Sequence, residues 1–179
     1  MIYFTSDLHL FHKSILTFES TNRPYSNVDE MNSALIDKWN NLILPEDKTY
    51  IIGDVSFGNV NETIRILDQL NGEKILIVGN HDKYLIMETK FIKCFSEVHH
   101  YHELKYNGIK ICMFHYPILM WNQKHHGSFH LHGHLHSNKS GIEGRIKNVG
   151  WDATGKIAVS LDEIYNELVM IDFFNHNHH

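Results

Sequence analysis

The chain has 179 residues, of which 42% are hydrophobic and 21% charged, and a formal net charge of −5. That length suffices for one buried core without disulfides, and no apolar run approaches the roughly 20 residues that cross a bilayer. The acidic balance argues against a broad nucleic-acid-binding face, leaving small phosphorylated substrates as better-suited partners.

The first apolar run, Met1 to Ser6, stops at Asp7-Leu8-His9, as a buried strand does when it delivers polar side chains at its carboxyl end. From Val28 to Ile43 the apolar residues Val28, Met31, Leu35, Trp39, Leu42 and Ile43 recur every three or four positions. This predicts an amphipathic helix capped at Ser26 or Asn27 and ended by Pro45. Thr49 to Ile52 reads as a second strand ending at Gly53-Asp54, and Val60 to Leu70 as a second helix closed by Gly72. A third strand, Ile75 to Val78, ends at Gly79-Asn80-His81-Asp82.

Tyr84 to Ser96 carries little pattern. The strands expected beyond it are Glu97 to Tyr106, Ile109 to Phe114 across an Asn107-Gly108 turn, Ser128 to Leu131, and Glu167 to Phe173. They are expected to complete the same core as a second sheet. Residues 1–174 are therefore taken as a single domain and residues 175–179 as a His/Asn tail. The N-terminus lacks the basic stretch of a secretory signal, which predicts a cytoplasmic protein.

Histidine is over-represented, at 16 residues, and neutral imidazole is the commonest ligand of transition metals. Only two cysteines, Cys94 and Cys112, are present, at a spacing that suits neither a zinc ribbon nor a redox pair. In α/β sheets ligands gather at the carboxyl ends of strands, which is where Asp7, His9, Asp54, Asn80, His115, His134 and His136 fall. Carboxylates to neutralise a cation and imidazoles to add affinity make this a set able to hold two divalent ions. Each pair alone is a weak signal.

The ordered series is specific. Asp7-x-His9, Gly53-Asp54, Gly79-Asn80-His81-Asp82, His115 after a strand, and Gly133-His134-x-His136 together resemble the signature of the calcineurin-like metallophosphoesterase superfamily. Asn22-Arg23-Pro24, His115-Tyr116-Pro117, His125-His126-Gly127-Ser128, Asp152-Ala153-Thr154 and Val159-Ser160-Leu161-Asp162-Glu163 resemble its small cap-less members from bacteria and phages.

The resemblance implies a two-sheet β-sandwich flanked by helices in four αββα layers. It implies that Asp7, His9 and His136 bind one metal ion, that Asn80, His115 and His134 bind the second, and that Asp54 bridges them. Manganese is the first expectation, with Fe²⁺, Zn²⁺, Ni²⁺ and Co²⁺ also suited to mixed nitrogen and oxygen ligands. The expected reaction is attack on a phosphate ester by a hydroxide shared between two ions. His81 is the expected acid for the leaving group and Asp82 its orienting partner.

Arg23, His12, His125 and His126 are expected substrate contacts. The expected substrate is a small phosphodiester or a nucleotide. A phosphomonoesterase or protein phosphatase, a DNA nuclease and a non-catalytic metal-binding scaffold are the alternatives. His99, His100 and His102 are expected to be half-exposed strand residues, and His130 and His132 to make structural hydrogen bonds.

Overall fold

The computed structural model describes residues 1–172. The expected tail 175–179 and the last two residues of the expected 1–174 domain lie outside the described residues.

The first half alternates strands and helices. β1 (Ile2–Thr5) leads through the single turn α1 (Ile15–Phe18) to α2 (Val28–Leu42). The α2 N-terminus is capped by Asn27, whose side chain accepts from the Glu30 N–H. After β2 (Lys48–Ile51), α3 (Val60–Leu67) opens with a full capping box between Asn59 and Glu62. β3 (Glu73–Ile77), a 3-10 turn at Leu85–Met87 and α4 (Thr89–Ile92) follow; these two short turns fill the unpatterned stretch.

The expected strand Glu97 to Tyr106 is two strands. β4 (Glu97–His99) pairs parallel with β3, whereas β5 (Tyr101–Tyr106), one residue later, pairs antiparallel with β6 (Ile109–Phe114) in the other sheet. The Asn107-Gly108 hairpin turn has positive φ at both residues, the geometry that a two-residue hairpin needs. β7 (Phe129–His132) and β8 (Ile146–Asn148) complete the second sheet, and α5 (Trp151–Thr154) and β9 (Val159–Ser160) return the chain to the first.

The expected strand at Glu167 to Phe173 is corrected. α6 (Leu161–Val169) covers Glu167, with Ser160 capping it through the Glu163 N–H and Leu161, Ile164 and Leu168 buried on one face. Its three- and four-residue spacing outweighs the local apolar content, and Phe173 lies outside the described residues.

The sheets have the orders β4-β3-β2-β1-β9 and β5-β6-β7-β8. Side chains of the first sheet alternate between two cores, as strand geometry demands. Tyr3, Ile51 and Leu76 pack under α2 and α3 with Met31, Leu35 and Trp39. Phe4, Tyr50, Ile52, Ile75 and Ile77 face Ile111, Met113, Phe129 and Leu131 of the second sheet. The outer face of the second sheet is covered by segment 116–128, where Trp121 lies 5.4 Å from the His130 ring and Ile118 N–H donates to His130 Nε2 at 3.0 Å. The architecture is thus α/β, with two sheets packed face to face and helices against the first. β1, β2, β3, β6 and β7 all point their carboxyl ends to one rim.

Candidate metal centre

Backbone conformation sets this rim. Asp7, His9, Asp54, His134 and His136 all have positive φ, between 49° and 69°, a region that costs a non-glycine residue on the order of 1–3 kcal/mol and clusters at functional sites. The bends turn successive side chains back over the strand ends. Close backbone approach then requires glycine. A Cβ on Gly133 would stand 1.8 Å from Ser6 Oγ and 2.4 Å from Asp7 Oδ2, and one on Gly79 would stand 2.3 Å from Asp54 Oδ1.

Two groups of ligand-bearing side chains result. Asp7, His9 and His136 bring donor atoms within 4.8 Å of one another, and Asp54, His115 and His134 do the same. Asn80 Oδ1 lies 3.0 Å from His115 Nε2. Asp54 Oδ2 sits between the groups, 3.7 Å from His9 Nε2 and 3.5 Å from His115 Nε2. All seven residues expected to bind metal are therefore brought together.

The residues fit a bound cation. Asp7 Oδ1 and His9 Nε2 are buried yet have no hydrogen-bond partner, a costly state that an ion between them would relieve. Three of the imidazoles are held by Nδ1, which leaves Nε2 for the cage. His9 Nδ1 meets His12 Nδ1 at 2.9 Å, His115 Nδ1 donates to the Ile52 carbonyl at 2.8 Å, and His136 Nδ1 meets Asp152 Oδ2 at 2.7 Å. Such outer partners fix the tautomer and orientation of a metal-binding histidine.

Charge is balanced within the rim. Burial pushes the Asp7 and Asp54 carboxyls up, but the neighbouring His9 and His115 imidazoles, with hydrogen bonds from the Ser6 hydroxyl to Asp7 and from the His81 N–H to Asp54, outweigh it and hold both below the usual carboxylate range. Burial pushes His115 and His136 down, but Asp54 and Asp152 respectively carry both above the ordinary imidazole value. His9 and His134 are lowered, burial being the largest cause.

His81 stands at the mouth. Its backbone N–H donates to Asp54 Oδ1 at 2.9 Å, its Nε2 lies 3.9 Å from Asp54 Oδ2, and its side chain is 45% exposed. Phe57 packs against His81 and stacks on His12, with ring centroids 4.5 Å and 3.9 Å apart. A cavity of about 220 Å³ beside His81 is lined by Phe57, Lys83 and Tyr84 among others. A larger one of about 790 Å³ lies over β8 and segment 137–144 and includes none of the seven residues. The chemistry marks the smaller cavity as the relevant one.

Several expected roles are corrected. Asp82 does not orient the His81 ring, because its carboxylate is fully buried and accepts from the backbone N–H groups of Asp54, Val55 and Gly79 at 2.8–2.9 Å. It ties the second and third strand-end loops together. Arg23 does not face solvent. Its buried guanidinium donates to both oxygens of Asp152 at 2.6 and 2.9 Å and to the carbonyls of Leu8 and Asp7 at 2.8 and 2.5 Å, and it lies over the Trp151 ring.

His125 and His126 sit exposed on a 3-10 turn, Lys124–His126, with side chains that make no hydrogen bond or ring contact to the cage among the described residues. His12 packs behind His9. Arg145 donates to the carbonyls of Gly127 and Val169. Sequence reasoning gave Asp152 no role, although Asp152-Ala153-Thr154 carried part of the resemblance; it also missed Phe57 and Ser6.

The calcineurin-like phosphoesterase family model matches residues 1–167. The chain is 37% identical over 139 residues to protein MJ1445 of Methanocaldococcus jannaschii, covering 76% of this chain and 70% of that one. It is 28% identical over 207 aligned residues to the Gene 66 protein of Mycobacterium phage L5, covering 98% and 95%. Among solved structures, AQ665 of Aquifex aeolicus superposes with a TM-score of 0.71 at 26% identity, covering 93% of this chain and 98% of that one.

Proposed function

The chain belongs to the calcineurin-like phosphoesterase family, whose members are metal-dependent phosphoester hydrolases, and we propose that it cleaves a small phosphodiester, such as a nucleotide, at a pair of divalent cations. The observation that carries this reading is the position of Asp54, one carboxylate between two imidazole-rich groups. Asp7, His9 and His136 would hold one ion and Asn80, His115 and His134 the other. Manganese is the first expectation for both. Such a pair, when bound, supplies an activated water and neutralises charge on the phosphate.

The side chains do the rest. Asn80 offers a neutral oxygen, which limits repulsion of an anionic ester. The exposed His81 imidazole, 3.9 Å from Asp54 Oδ2, is the group that would give a leaving alkoxide its proton, a role worth roughly 10²–10⁴-fold in rate. Phe57 and Tyr84 give the leaving group flat apolar walls, and Lys83 supplies a positive charge beside them. This open, short-walled site suits small substrates rather than an extended polymer.

The test is turnover of bis-p-nitrophenyl phosphate and p-nitrophenyl phosphate with added Mn²⁺, by wild type and by His81→Ala. We expect preference for the diester and, because p-nitrophenolate departs without needing a proton, a His81→Ala loss of about 10²-fold or more in kcat read on an alkyl-ester substrate such as a cyclic nucleotide, at unchanged metal content. Preference for the monoester would move the reading to a phosphomonoesterase or protein phosphatase. Absence of turnover on either would support the non-catalytic alternative.

A further inference from the structure

A second set of ligand-bearing residues lies outside the cage and shares no member with it. Glu97 and His99 are on β4 and His102 is on β5, so the set spans the single residue, His100, at which the chain passes from one sheet to the other. Their donor atoms lie within 4.8 Å of one another. Glu97 Oε2 and His99 Nε2 are 2.7 Å apart, and the His99 and His102 rings are 4.5 Å apart at 31°.

His102 is also held by stacking on Tyr50 at 5.7 Å. Its side chain makes no hydrogen bond among the described residues. Its orientation is thus fixed by ring packing alone, with both nitrogens free to act as ligands. Lys48, the neighbouring cation, is already paired with Glu73 at 3.2 Å.

We propose that Glu97, His99 and His102 form a third cation site, of the zinc class, that pins β4 to β5 and so joins the two sheets at their shared edge. Two imidazoles and one carboxylate are a zinc ligand set, and tetrahedral ligands at about 2.0–2.1 Å from an ion stand about 3.3 Å from each other. Small side-chain rotations reach that spacing from the observed one. The fourth position faces solvent, since the Glu97 and His99 side chains are 48% and 32% exposed, and water completes it. An ion held only by the folded state raises stability by mass action.

The experiment compares zinc retained after desalting, and the thermal midpoint with and without Zn²⁺, in wild type and His99→Ala/His102→Ala. We expect the variant to hold one equivalent less and to lose the part of the zinc-dependent rise in midpoint due to this site, with Mn²⁺-supported phosphoester hydrolysis unchanged. Equal retention in both proteins would overturn the proposal. The readout is a difference, so ions bound by the cage or by terminal histidines cancel. Failure of the two-ion cage would appear separately, as wild type retaining too few equivalents. Should the double variant fold poorly, Glu97→Gln at an exposed side chain gives the same comparison.

Discussion

The buried pair of Arg23 and Asp152 permits a quantitative test of how the cage is supported. Replacing Asp152 with Asn keeps the shape and removes the charge. Arg23 is then left at 0% exposure with no anionic partner, facing two carbonyls, the Met31 sulfur, the Trp151 ring and a neutral amide. Breaking a buried ion pair from one side costs about 3–5 kcal/mol. For a domain of this size, at about 2–4 °C per kcal/mol, that is a fall in Tm of roughly 6–20 °C. His136 also loses its carboxylate partner, and outer partners of this kind are worth about 10–100-fold in metal affinity.

Urea unfolding in EDTA isolates the first effect, and calorimetric titration of the folded variant with Mn²⁺ isolates the second. Arg23→Met/Asp152→Asn removes the stranded charge, so its cost is expected to fall short of the sum of the single variants. An Asp152→Asn protein within about 1 kcal/mol of wild type, with equal Mn²⁺ affinity, would refute the reasoning, since that lies well under the about 3–5 kcal/mol expected of a half-broken buried pair.

Two further outcomes follow from other buried groups. His130 is fully buried, donates from Nδ1 to the Cys112 carbonyl and accepts at Nε2 from Ile118 N–H, and burial pushes it down to about 4. The unfolded chain takes up this proton near pH 6.5 and the folded one only near pH 4, so stability is lost as pH falls between those values, by about 3 kcal/mol in all. His130→Gln is expected to flatten that part of the pH–stability curve measured by urea unfolding, and an unchanged slope would contradict the assignment. Gly133→Ala drives a methyl group into Ser6 and Asp7. A loss of at least about 10-fold in Mn²⁺ affinity by calorimetry is expected, and wild-type affinity would show that the strand-end loops yield freely.

The cage was largely legible because each candidate ligand follows a strand whose apolar run stops abruptly, and because Gly53, Gly79 and Gly133 mark the close approaches. The break at His100 was not. Alternation continues across it from Glu97 to Tyr106, and only pairing partners distant in sequence reveal that the run serves two sheets. The helix at Leu161 was readable from Ser160, Glu163 and the spacing of Leu161, Ile164 and Leu168, but the apolar end of the chain suggested a strand. Arg23 and Asp82 were misread for a different reason. Charge predicts exposure on average, and burial of a paired charge depends on partners such as Asp152, 129 positions away, that spacing does not expose. Asp and His enter the left-handed region more readily than most residues, yet nothing in the spacing marks Asp7, His9, Asp54, His134 and His136 as the ones that do so.

Because Asp7, His9, Asp54 and Asn80 extend from one sheet and His115, His134 and His136 from the other, the proposed ions would work as a clasp across the sandwich. Prising the layers apart would first mean giving up the metals, and an emptied clasp would leave clustered carboxylates and bent backbone with nothing to hold. Catalytic readiness and cohesion of the molecule would then draw on the same few bonds.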